Sequence, residues 1–183
     1  MTKQVLFFQG GGGQADHEAD SRLVESLVKG LGHDYHIRYP VLENDDSPDL
    51  GRRKQIGREL AASTDNILLV GHSLGASMLL VYLTEYPVEF SIGGIFLLAT
   101  PFWNDNEDWA KPFTLRPDFA RQLDKNVPLH FYHCSDDEEV PVSHMADYKR
   151  HLPWGSFREL PVGGHQFTEG LEIVATDIKS IAY

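Results

Sequence analysis

The residue best placed to do chemistry is a serine between two glycines. It lies in NILLVGHSLGAS, residues 66–77, where Gly71-His72-Ser73-Leu74-Gly75 follows the apolar run Ile67 to Val70 and precedes an apolar-periodic stretch. G-x-S-x-G at the handover from a buried strand to a helix is a nucleophile elbow: a sharp, strained turn that projects the serine oxygen above a sheet. The glycines leave room where strand end and helix start crowd each other. Leu74, at the start of the helix, can turn its backbone N–H toward a developing oxyanion. The plainer alternative is a glycine-rich turn with a capping serine. A serine nucleophile needs a base, and the base needs an orienting carboxylate. On this kind of sheet they follow in the order Ser, Asp, His. HFYHCSDDEEVPVSH supplies Asp136 and Asp137, and ELPVGGHQF supplies His165. Gly10 to Gly13, after the first apolar run, would let backbone approach the reacting carbonyl. Gly11 is then the expected second oxyanion donor, with Gly10 and Gly12 as alternatives.

These residues need a scaffold that brings them to one edge. Short apolar runs predict strands at Val5–Phe8, His36–Tyr39, Ile67–Val70, Gly94–Leu98, Leu129–His133 and Phe157–Leu160. Helical spacing lies between them. Leu23, Val24, Leu27, Val28 and Leu31 share a face, and Ser47-Pro48 reads as N-cap and first position of a helix to about Ala62. Met78, Leu79, Tyr82, Leu83 and Tyr86 mark an amphipathic helix that Pro87 stops. Ser143 is placed to cap a helix to His151, and Leu171, Val174, Ile178 and Ile181 mark a last one. The alternation predicts a three-layer α/β fold, with about six mostly parallel strands and helices on both faces. The 183 residues fit one domain, 1–183.

Bulk properties narrow the function. A formal net charge of −11 argues against nucleic acid or an anionic membrane as partner. No apolar run approaches the ~20 residues of a membrane span. A single cysteine, Cys134, leaves no intramolecular disulfide, and a cytoplasmic location is expected. Gly10, Gly12 and Ala15 fit G-x-G-x-x-A, but the acidic partner expected after the second strand is missing, since Glu43 comes only after Pro40. His130 and His133 face opposite sides of a strand and cannot share an ion. No cofactor or metal is expected.

QGGGG, GHSLGA, ATPFWNDNEDW, SDDEEVP and GGHQF run in order along nearly the whole chain. In them the chain resembles the retinoblastoma-binding-protein-nine and YdeN-like family of small serine hydrolases of the α/β-hydrolase fold. The resemblance implies a six-stranded sheet without a large cap domain, hydrolysis of a small ester or related acyl substrate, and Ser73, Asp137 and His165 as the triad. Asp137 also begins the D-x-x-V-P pattern of such hydrolases, which leaves Asp136 to solvent or to loop amides. No L-x-C-x-E motif is present, so a pocket-protein partner is not implied. Phe102, Trp103 and Trp109 either line an apolar substrate pocket or cover a gap in the core. Acidic residues at Asp105, Glu107, Asp108 and 136–139 are expected to flank the mouth and favour cationic substrates. The rival to an enzyme is a binding module that keeps the hydrolase fold with little or no turnover.

Overall fold

The computed structural model of the chain describes residues 2–103 and 107–181. Strands β1 (Lys3–Phe8), β2 (Tyr35–Arg38), β3 (Ile67–His72), β4 (Ile92–Leu98), β5 (Leu129–Cys134) and β6 (Ser156–Leu160) form one parallel sheet in the order β2-β1-β3-β4-β5-β6. After β2 the chain returns to the other side of β1, so the order reverses between β1 and β3. In open α/β sheets the crevice beyond the carboxyl ends of two such strands is where ligands bind. Gly10 and Ser73 lie at those two ends.

Alternate strand residues feed two cores. Leu6, Phe8, Leu69, Leu97 and Phe131 pack under α2 (Arg52–Ala61), α3 (Ser73–Glu85) and α4 (Ser143–His151). Val5, Phe7, Val70, Phe96 and Leu98 pack under α1 (Gln14–Leu31) and α5 (Glu172–Ser180).

Three expectations need correction. The second helix begins at Arg52 rather than Pro48, because Leu50 (φ 58°) and Gly51 (φ 76°) are left-handed and break the helical path. Helix α3 is not simply amphipathic: Met78, Leu79, Leu80 and Val81 are all buried. Ser143 is the first residue of α4 and not its cap, which is Val142.

Asp177 ties α5 to the sheet. Its carboxylate accepts two hydrogen bonds of 2.7 Å from Arg158 and one of 2.8 Å from the Tyr132 hydroxyl. Burial opposes its ionisation, but these bonds and the Arg158 charge outweigh burial and hold its carboxyl below the usual range. A carboxyl depressed in the fold adds stability that is complete above its unfolded value, about 4, and is lost as pH falls through the folded value. The thermal midpoint is therefore expected to fall as pH drops below about 4, and Asp177→Asn is expected to make that decline shallower. An unchanged slope in the variant would exclude this network as a source of acid sensitivity.

Candidate active site

Ser73 has φ 49°, in the left-handed region that a non-glycine residue rarely adopts. Such backbone costs on the order of 1–3 kcal/mol and persists where its surroundings impose it. The flanking glycines show what does so. A Cβ at Gly71 would come within 2.7 Å of Ala76 Cα, and one at Gly75 within 2.1 Å of the Gln9 carbonyl oxygen. Gly71 thus meets the start of its own helix, whereas Gly75 meets the end of the neighbouring strand β1.

The residues that follow β5 and β6 meet across the sheet edge. His165 Nδ1 donates to Asp137, at 3.0 Å from each oxygen. The Asp137 side chain is fully buried, and its Oδ1 accepts the amides of Glu139 (2.9 Å) and Val140 (2.8 Å). His133 Nε2 lies 3.2 Å from its Oδ2. Burial alone would raise the carboxyl, but these hydrogen bonds and the adjacent His165 hold it below the carboxylate range. Asp136 turns away and accepts the amides of Gly163 (3.2 Å) and Gly164 (2.8 Å), which shapes the loop that carries His165. His165 Nε2 faces the cavity, 3.6 Å from Glu139 Oε2. Among the described residues Ser73 Oγ has no hydrogen-bond partner.

The glycine loop is held peptide by peptide. Gly10 N–H donates to Asp20 at 2.7 Å, and Gly12 N–H donates to Asp16 at 2.6 Å. Buried Arg52 donates to the Gly11 carbonyl at 2.7 Å. The 9–10 and 11–12 peptides are therefore fixed. Between them, Gly11 N–H has no partner among the described residues, and neither does Leu74 N–H at the head of α3. Of the three candidate glycine amides, those of Gly10 and Gly12 are engaged, and that of Gly11 is left without a partner among the described residues.

Ser73, His165, Gly11 and Leu74 line one cavity of about 1050 Å³. Trp103 and Trp109 form its apolar wall. Their rings stand edge to face with centroids 5.7 Å apart, and Trp103 Nε1 donates to Ser77 at 3.1 Å. Phe102 does not line it. Its ring stacks on His151 and meets Tyr148 edge-on, because its backbone N–H is held by His144 on α4. Asp16, Asp108 and Glu139 are at the mouth, with Asp108 paired to Lys111 at 2.5 Å. Asp105 lies outside the described residues. Cys134 is buried, and burial with the nearby carboxylates pushes its thiol up to about 12, unlike an activated nucleophile.

Sequence reasoning missed Asp20, His72 and Arg52. All three are buried and hydrogen-bond the backbone of the glycine loop or of His165, and a signal was present for two. Asp20 precedes Leu23 and Leu27 on the inner stripe of α1, and Arg52 precedes Ile56 and Leu60 on that of α2. A charged residue in an apolar stripe marks a polar contact to be found inside the fold.

No family model and no curated protein matches this chain. Solved structures do. The chain is similar to the ydeN gene product from B. subtilis, with a TM-score of 0.71, 19% identity and 98% of each chain covered. It is also similar to a thioesterase domain from the curacin biosynthetic pathway, with a TM-score of 0.71, 15% identity and coverage of 98% of this chain and 92% of the other. The esterase RhEst1 from Rhodococcus sp. ECU1013 gives 0.70 and 15%, over 99% and 92%. The chain has the small α/β-hydrolase fold. No helix among the described residues is long and apolar enough to cross a membrane.

Proposed function

We propose that this protein is a serine hydrolase that cleaves a small ester or related acyl compound through an acyl-enzyme intermediate. One observation supports this above others: Ser73, the Asp137-bound His165 and the two unengaged amides of Gly11 and Leu74 converge on one cavity. Ser73 attacks the carbonyl, and His165 takes its proton and returns it to the leaving group. Asp137 holds the imidazole and balances its charge, while the amides receive the oxyanion. Water then releases the acyl group by the same steps. The structural relatives described as an esterase and a thioesterase fit this reading. On this reading the chain is a single domain that acts on a small molecule in the cytoplasm. The test is reaction with a fluorophosphonate probe, followed by peptide mass mapping. The adduct is expected on Ser73, and an unmodified Ser73 under conditions that label a control hydrolase would overturn the proposal.

The tryptophan wall is the substrate-binding part of this reading. Trp103→Ala is expected to raise KM for p-nitrophenyl butyrate by a factor corresponding to ~1–3 kcal/mol, with kcat changed less. An unchanged KM with a lower thermal midpoint would make Trp103 a structural residue instead.

A further inference from the structure

Asp20 and His72 form a buried ionisable pair that the mechanism above does not use. They are 2% and 1% exposed. His72 Nδ1 lies 2.9 Å from both Asp20 oxygens, and its Nε2 lies 3.0 Å from the backbone carbonyl oxygen of His165. Carboxylate and carbonyl are both acceptors. A neutral imidazole carries one N–H and one lone pair, so it would turn the lone pair toward one of these oxygens. An imidazolium donates to both. Asp20 balances the charge and accepts Gly10 N–H at 2.7 Å as well.

We propose that His72 is an imidazolium paired with Asp20, and that the pair is a positioning unit that sets both the His165 loop and the Gly10–Gly11 loop relative to Ser73. The inference rests on the serine-hydrolase reading. The geometry explains why one pair can serve three parts. His72 is the residue before the nucleophile. Its outer nitrogen holds the main chain of the base, and the two imidazole rings are 4.8 Å apart. Its partner Asp20 fixes the amide that precedes the free N–H of Gly11. Nucleophile, base and oxyanion donor, which come from three distant segments, therefore share one reference point. Displacing such groups by about 1 Å can cost about 10²-fold in rate.

The test combines spectroscopy with kinetics. In ¹⁵N-labelled wild type at neutral pH, both ring nitrogens of His72 are expected to carry protons, with the assignment made by their loss in His72→Gln. A single ring proton would overturn the ion pair. Asp20→Ala is expected to lower kcat for p-nitrophenyl acetate about 10²-fold, with little change in KM. Asp20→Asn still accepts Gly10 N–H and can donate to a neutral Nδ1, leaving Nε2–H on the His165 carbonyl. It is expected to recover most of the rate while showing one His72 ring proton in place of two. Fluorophosphonate labelling supplies the active-enzyme count and separates the two readings. Wild type that does not label would sink the hydrolase assignment. Wild type that labels, with Asp20→Ala labelling and turning over at the same rate, would sink the positioning role alone. If Asp20→Ala does not fold, the wild-type spectrum and Asp20→Asn still decide: no recovered rate in a folded Asp20→Asn also overturns the proposal.

Discussion

Ser73→Ala is expected to reduce the turnover of p-nitrophenyl acetate by about 10⁶-fold while leaving the fold intact. The size of the loss follows from what the hydroxyl does. In the proposed mechanism it forms the covalent bond, and no other side chain at the elbow can replace it: His72 is engaged at both ring nitrogens, and Leu74 offers only its amide. The fold should persist because Ser73 Oγ bonds to none of the described residues. Alanine at φ 49° is no more strained than serine, since both carry the same Cβ. Circular dichroism and the thermal midpoint check the fold, and stopped-time hydrolysis checks the rate. A residual rate above that of buffer is expected from the oxyanion donors alone. Equal rates for variant and wild type would remove the nucleophile and favour a binding module on the same fold.

The second large effect separates two adjacent aspartates. Asp137→Asn is expected to lower kcat by about 10⁴-fold, and Asp136→Asn by far less. The loop determines how an asparagine at 137 would sit. The amides of Glu139 and Val140 donate to Oδ1, so the carbamoyl oxygen is kept there. The NH₂ group is then forced into the place of Oδ2, beside His133 Nε2, and His165 Nδ1, 3.0 Å from both oxygen positions, meets a donor in place of one of its two acceptors. An N–H donor there seeks the lone pair of Nδ1, which moves the imidazole proton to Nε2. That nitrogen can no longer take the proton of Ser73. Among the described residues the Asp136 carboxylate bonds to the Gly163 and Gly164 amides alone, and asparagine can still accept from them. The reverse ranking would transfer the orienting role to Asp136 and leave the hydrolase reading standing.

Local signals carried much of this far. The four inner strands are legible because a strand buried on both faces must be apolar along most of its length, as Ile67 to Val70 is, whereas the edge strands β2 and β6 are partly exposed. The helices α1 and α5 are legible because each buries one stripe against the sheet. Ser47-Pro48 misleads because capping chemistry is local, while the left-handed turn at Leu50 and Gly51 follows from what surrounds them. Gln55 and Glu43 fold the segment back on itself, and Arg52 fills the space beneath the glycine loop. Phe102 misleads in the same way. It is adjacent in sequence to Trp103, but a backbone bond to His144 turns it toward α4, while Trp103 faces the cavity.

By itself the sequence determined the α/β alternation, the elbow at Ser73 and the candidates that follow β5 and β6. Each depends on residues within a few positions of one another, where periodicity and steric demands act directly. The tertiary structure alone decided the order β2-β1-β3-β4-β5-β6, which opens the crevice between Gly10 and Ser73. For two preferences that the sequence already offers, Gly11 among three glycines and Asp137 over Asp136, it supplies the contacts: the neighbouring amides are engaged, and Asp137 is the aspartate that meets His165. These choices rest on contacts between residues far apart in the chain: Gly11 with Arg52, Asp137 with His165, and Asp20 with His72. Hydrogen-bonding partners at such separations are set by how the layers pack, and a linear pattern holds no record of that packing beyond the charged residue left in an apolar stripe.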